Sequence, residues 1–173
     1  MSSPQPVPLL FSMLSKKNTS AAEQDAGESV EPLDQSLMLS FVGYNARRTF
    51  AAIEPYFKKR MAKYNLRPAQ FAILTVLKAN PDISQRRLAD AINVSPPNLA
   101  PLLDQLEARD LIVRQRNAQD KRFQTLSLTP MGLQLCSKAE KTVVALELEA
   151  TKMLTDQERE QLLGLLQKIY LNR

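Results

Sequence analysis

The chain has no histidine, no tryptophan, one cysteine and only four glycines in 173 residues. Without histidine there is no imidazole ligand for zinc or copper, and no Ser-His-Asp or Cys-His nucleophile. Cys136 cannot form a disulfide within one chain, so a disulfide framework is excluded. The scattered glycines supply no phosphate-cradling loop, and the carboxylates are not clustered, which argues against an enzyme. No apolar run reaches the ~18 residues of a membrane span. Val7 to Leu14 is apolar, but no basic residue precedes it and Lys16 and Lys17 follow, so a secretory signal is not expected and a cytoplasmic chain is. No cofactor is expected.

What is present is basic. Lys and Arg number 23 against 18 Asp and Glu, giving net +5 and a pI near 9.4. Residues 1–33 carry net −2, residues 34–65 net +4, residues 66–130 net +3 and residues 131–173 net zero. The excess lies in the middle of the chain, which suits an anionic partner, nucleic acid being the commonest. A solvated basic surface without a partner would give the same count.

Residues 1–33 hold four of the eleven prolines and no sustained periodicity, and read as a mobile arm. From Asp34 the pattern becomes helical: Met38, Val42, Ala46, Phe50, Ile53, Phe57, Met61 and Tyr64 recur at three- or four-residue steps. Pro55 predicts a kink or break near Glu54. Short helices follow over Pro68 to Ala79, Gln85 to Ile92 (capped by Ser84) and Pro96 to Arg109 (capped by Ser95). Two β-type runs, 111–114 and 123–128, flank a charged loop and predict a hairpin. Thr129-Pro130 restarts a helix to about Leu154, and Thr155 with Glu158 forms a capping box for the last one. The expected fold class is mainly α with a small β-hairpin wing.

The helices at 85–92 and 96–109, joined by a three-residue turn, have helix-turn-helix geometry, the second being the recognition helix. Its first turn, Ser95-Pro96-Pro97-Asn98, is small enough to approach base edges. Asn98 can pair bidentately with adenine, and free backbone N–H groups there would favour a phosphate. Gln85 and Arg86 open the preceding helix. The hairpin tip carries Arg116, Asp120, Lys121 and Arg122, charge that folding does not need but phosphates and the minor groove attract. Asp120 can hold Arg122 extended toward DNA. A helical hairpin with a solvated loop is the plainer alternative.

Several stretches, in order and at matching spacing over roughly 36–171, resemble the MarR family of winged helix-turn-helix regulators. They are Leu66-Arg67-Pro68-Ala69-Gln70-Phe71, Ser84-Gln85-Arg86-Arg87-Leu88-Ala89, Val94-Ser95-Pro96-Pro97-Asn98-Leu99 and Leu102 to Arg109, then Asp120-Lys121-Arg122 and Leu126-Ser127-Leu128-Thr129-Pro130-Met131-Gly132. The resemblance implies a homodimer whose first and last two helices interlock, over 34–65 and 130–173, with a winged DNA-binding domain at 66–129. It implies a repressor on a palindromic operator, released by a small aromatic acid or phenol in a cleft between the two parts. By family position Phe57, Met61 and Phe71 face that cleft. Tyr44, Arg47 and Arg48 lie two to three turns earlier, where an arginine can hold a carboxylate bidentately. Plain core is the alternative for the aromatics, and a solvated patch for the arginines. An activator, a regulator without a ligand, or a winged-helix protein–protein module are the alternative functions. Peroxide-sensing relatives use a first-helix cysteine, absent here, so Cys136 reads as a small buried hydrophobe.

Three departures stand out. Arg67 replaces the usual Ser or Thr cap, at a cost of about 1 kcal/mol unless something else caps that helix. Asp110 stands where glycine usually ends the recognition helix. Pro101 lies inside that helix.

Overall fold

The computed structural model describes residues 33–116 and 124–171. The helices are α1 (Ser36–Leu39), α2 (Val42–Met61), α3 (Pro68–Ala79), α4 (Gln85–Ala91), α5 (Pro96–Glu107), α6 (Pro130–Ala150) and α7 (Asp156–Leu171). The strands are β1 (Ile83–Ser84), β2 (Ile112–Arg116) and β3 (Gln124–Leu128). The architecture is mainly helical with a small antiparallel wing, as the sequence predicts. The described residues from Leu37 onward form one compact unit.

The first helix departs from expectation. Its break is at Ser40–Phe41, not near Glu54, and α2 runs through Pro55. Asn45 accounts for the break: its Nδ2 donates to the Leu39 carbonyl (2.7 Å), a group that a continuous helix would pair with backbone, and also to the Phe41 carbonyl (2.9 Å), which accepts from Asn45 N as well. Pro55 removes only the bond to the Ala51 carbonyl, and Ala51 is exposed, so that acceptor is not stranded in the core. α6 ends at Ala150 rather than near Leu154, because Thr151 turns out of the helix while its hydroxyl donates to the Glu147 carbonyl at 2.6 Å.

β3 is the centre of the sheet, in the order β1-β3-β2. β2 pairs from Ile112↔Leu128 to Arg116↔Gln124, and β1 pairs Ile83↔Leu126 and Ser84↔Thr125. β1 is not evident from the sequence: two residues beside a helix cap carry no period.

The core lies between α3, α5, α6 and the sheet. Ile73, Leu74 and Leu77 of α3 meet Leu99, Leu103 and Leu106 of α5, with Leu88, Ile112, Leu126 and Cys136 completing it. Phe57 and Met61 are the buried residues of α2, whereas α7 buries none. Phe50, Val42, Leu163, Leu165, Ile169 and Tyr170 all stand more than half exposed.

The capping expectations divide. Thr155 and Glu158 cap reciprocally: Thr155 N donates to Glu158 Oε2 at 2.8 Å, and Glu158 N donates to Thr155 Oγ1 at 3.2 Å. Ser84 Oγ accepts from Arg87 N at 3.3 Å. Arg67 has no side-chain acceptor, so only half a capping box forms at α3: Gln70 Oε1 accepts from Arg67 N at 3.0 Å. Gln70 Nε2 donates onward to Gln105 Oε1 at 3.0 Å, tying α3 to α5. Asp110 takes the left-handed conformation expected of it (φ 53°), as do Asn65, Asp82 and Asn93 at their own turns.

Cys136 is buried, as expected. Burial, then the neighbouring Glu140 carboxylate, pushes its thiol up to about 11. Because the folded chain holds the thiol neutral above its ordinary value of 9.0, this contribution to stability is complete below pH 9 and is lost as pH rises through 9 to about 11. A thiol reagent at pH 8 is therefore expected to leave the folded protein unlabelled and to react at once in denaturant. Folded-state labelling at the rate of a free thiol would contradict this placement.

Candidate nucleic-acid interface

The orientation of α5, the expected recognition helix, is set by its buried face. Leu99, Leu103 and Leu106 are fully buried, so Ser95, Pro96, Pro97 and Asn98 at its start point outward and are exposed. The three-residue turn before it, Ile92 to Val94, is closed by left-handed Asn93 and by Val94 N donating to the Ala89 carbonyl at 3.0 Å. Arg86 and Arg87 on α4 are exposed and Gln85 is half-buried. Gln85, Arg86 and the Ser95–Asn98 turn thus sit on consecutive elements joined by one tight turn.

Two details differ from expectation. Ser95 holds the N-cap position with extended backbone, but its hydroxyl makes no cap bond; its carbonyl instead accepts from Asn98 N (2.9 Å) and Leu99 N (3.0 Å). From Pro96 to Leu99 no backbone N–H is left for a phosphate: Pro96 and Pro97 have none, and those of Asn98 and Leu99 are used. An anion at this end must be held by side chains, and the Ser95 hydroxyl and Asn98 amide are the ones presented. Pro101 costs only the bond to the Pro97 carbonyl, which faces solvent.

The wing is pinned to α5 by a residue the sequence gives no reason to select. Arg114 on β2 donates through Nη1 to Glu107 Oε2 at 2.9 Å and through Nη2 to Asp104 Oδ1 at 2.5 Å. The Arg114 side chain is only 24% exposed, while the Asp104 carboxylate stands 65% exposed, so the fork fixes the geometry of strand against helix more than it adds stability. In sequence Arg114 reads as an ordinary outward polar residue of a strand. The other edge is fixed by Asp82, whose Oδ1 accepts from Ser127 Oγ at 2.6 Å and whose N donates to the same hydroxyl at 3.1 Å. Asp120, Lys121 and Arg122 lie outside the described residues, as does the side chain of Arg116.

The base of the wing explains the Leu-x-Leu-Thr-Pro-Met-Gly stretch. Thr129 Oγ1 accepts from Gly132 N at 2.9 Å and donates to the Asp110 carbonyl at 2.6 Å. Thr129 N donates to the Leu111 carbonyl at 3.1 Å. A Cβ on Gly132 would stand 1.9 Å from that same carbonyl oxygen. The chain entering α6 thus crosses the chain leaving α5 in backbone contact, and only glycine fits.

The residues suggested for a ligand form two groups. Phe57, Met61 and Phe71 lie together, the Phe57 and Phe71 rings edge to face at 6.1 Å, with Met61 fully buried. Tyr44 and Arg48 pair on α2, Arg48 Nη1 donating to the Tyr44 hydroxyl at 3.1 Å, while Arg47 is exposed. Thirteen residues of helix separate Tyr44 from Phe57, a rise of about 20 Å. Within one chain a small aromatic acid cannot touch both groups. A separate apolar hollow of about 300 Å³ lies where α2 begins, lined by Val42, Ala46, Leu162 and Leu166. Among the described residues no cluster could hold a metal, and no helix is long and apolar enough to cross a membrane.

Comparison with known proteins agrees with this geometry. The model of the MarR family matches residues 66–123. A putative transcriptional regulatory protein for the hcr operon of Thauera aromatica is 30% identical over 146 residues, covering 84% of this chain and 88% of that one. The transcriptional repressor MdtR of Bacillus subtilis is 30% identical over 95 residues, 55% of this chain and 61% of its own. Among solved structures, the repressor CouR bound to a 23-mer DNA duplex superposes with a TM-score of 0.76 at 33% identity, covering 80% of this chain and 99% of CouR. CouR bound to p-coumaroyl-CoA gives 0.71 at 32% identity, covering 80% and 97%.

Proposed function

This chain belongs to the MarR family of transcriptional regulators, and from that membership we propose that it is a repressor. It binds a palindromic operator as a homodimer and leaves the DNA when a small aromatic acid, a phenol or a thioester of one enters. The observation that carries the DNA reading is the exposed Ser95–Asn98 turn, held outward by three fully buried leucines. Support comes from CouR, a repressor of the same fold that binds a DNA duplex.

In this reading Asn98 and Ser95 enter the major groove with Pro96 and Pro97 packed against it, while Gln85 and Arg86 hold the flanking backbone. Arg116, Lys121 and Arg122 reach phosphate or minor groove from the wing, with Asp120 steadying Arg122. Support for the dimer comes from bare apolar surface: α7 buries none of its residues, and α2 buries only Phe57 and Met61. A second copy is the natural cover for helices that carry this much apolar area. The effector class draws on p-coumaroyl-CoA bound to CouR and on either of two separate groups, Phe57 with Met61 and Phe71 for a ring, or Tyr44 with Arg47 and Arg48 for a carboxylate.

Two substitutions separate the roles. Arg122→Ala is expected to weaken DNA binding across all sequences and to flatten the plot of log affinity against log salt by about one unit per subunit engaged. Asn98→Ala is expected to relax preference at one position of each half-site, worth about 1–3 kcal/mol there, with the slope unchanged. Competition binding against a library of operator variants at three salt concentrations reads both. An unchanged slope removes the wing from the interface, and intact specificity removes direct readout by Asn98.

A further inference from the structure

Residues 34–65 are the most basic stretch of the chain, and four of its six cations fall between Lys58 and Lys63. Lys58 pairs with Glu54 at 3.0 Å on the same helix. The other three line a groove between α2 and α6. Two adjoining hollows, of about 260 and 290 Å³, share Arg60 and Glu149 and so form one trough. Lys63 and Lys141 line one part, Lys59 and Tyr56 the other. The trough therefore gathers four cations against the single carboxylate of Glu149, which Arg60 already holds. Among the described residues Lys59 and Lys141 make no ion pair, and the Lys63 ammonium lies over the Tyr64 ring, 4.9 Å from its centre. Like charges brought into one concavity repel one another and focus a positive potential there.

No residue of α4, α5 or the strands lines this trough. Its charge is thus on the helices that hold the dimer and ligand groups, not on those that present the recognition turn. We infer that the Lys59–Arg60–Lys63–Lys141 groove binds the phosphorylated nucleotide end of an aromatic acyl-coenzyme A thioester. This deepens the proposed function and rests on its reading of an aromatic effector. Charge complementarity selects the occupant: a diphosphate with a further phosphomonoester is the small-molecule group that matches several clustered ammonium and guanidinium donors. Tyr56 adds a ring on which a nucleobase can stack. The placement also suits the other end of such a molecule. Phe57 and Met61, adjacent in sequence to the groove residues, turn to the opposite side of the same two helical turns and meet Phe71. A long flexible thioester arm joins the two sides, and because a thioester has no free carboxylate, Arg47 and Arg48 are not needed for it.

The test compares p-coumaroyl-CoA, free coenzyme A and p-coumarate by calorimetry on the intact chain and on a Lys59→Gln/Lys63→Gln/Lys141→Gln variant. All three lysines are exposed, so melting temperature is expected to stay the same. The wild-type chain is expected to bind p-coumaroyl-CoA at least about tenfold more tightly than p-coumarate, and the variant to lose that gain together with its salt dependence. Operator affinity of the variant is expected within about twofold of wild type, since the groove lies off the DNA-reading elements. Equal wild-type affinity for acid and thioester, or undiminished thioester affinity in the variant, would overturn the inference and leave an aromatic-acid effector standing. A wild-type chain that binds the operator but none of the three compounds would overturn the effector reading as well. A tenfold loss of operator affinity in the variant would assign the groove to DNA instead.

Discussion

Replacing Gly132 by alanine is expected to lower the unfolding free energy by about 3 kcal/mol, near the top of the usual range for forcing atoms into packed space. The alanine methyl would fall 1.9 Å from the Leu111 carbonyl oxygen and 2.8 Å from its carbon. Both are backbone, so no side chain can swing aside. Relief requires α6 to retreat from the Asp110–Leu111 segment, which breaks the Thr129 bonds to the Asp110 and Leu111 carbonyls. The better helix propensity of alanine returns only about 1 kcal/mol. For a chain of this size the net loss is a fall in melting temperature of about 6–12 °C, read at fixed protein concentration because the proposed dimer would couple folding to association. DNA affinity is expected to fall too, since the displaced segment leads directly into β2. A melting temperature within a degree of wild type would mean that the crossing of the two chains is not as tight as described.

Leu103→Ala is expected to cost a similar amount, about 3–4 kcal/mol, by a different route. Leu103 is fully buried at the middle of α5, between Leu99 and Leu106 on the same face. Truncation leaves a void beneath the recognition helix, flanked by α3 and the wing. α5 can partly fill it only by sinking, which withdraws the Ser95–Asn98 turn. Urea unfolding and operator binding are therefore expected to fall together, and Leu103→Met, which keeps the volume, to restore most of both. A loss of stability with unaltered specific DNA binding would show that the turn's position does not depend on this packing.

These two sites mark what could be read in the sequence and what could not. At Gly132 only the local part was legible: Thr129 caps α6 three residues away, whereas the contact that demands glycine is with Leu111, 21 residues back along the chain. Asp110 was legible because one residue had to turn left-handed to end α5. By contrast, Arg114 acts on Asp104 and Glu107 across the gap between strand and helix, so its role is invisible until the wing is folded. β1 exists only because β3 lies beside it, and two residues carry no pattern of their own. The break at Ser40–Phe41 was hidden because the apolar period runs straight across it; the decisive group is the Asn45 side-chain amide. Pro55, the louder signal, breaks nothing, because the carbonyl it orphans is not stranded in the core. The candidate ligand residues were named by position in a family, and that left unstated that Tyr44 and Phe57 stand on well-separated turns of α2. The basic count of residues 34–65 did announce an anionic partner. That three of those cations share a trough with Lys141, from a helix far along the chain, required the packing of α2 on α6.

The most direct test of the account is the affinity of the intact protein for the intergenic DNA upstream of its own gene, titrated with salt, with and without p-coumarate and p-coumaroyl-CoA. The account predicts tight, protein-dimer binding to a palindromic segment, a steep loss of affinity with salt, and release by the aromatic compound. Binding at low salt with no preference for any sequence, unmoved by either compound, would contradict it.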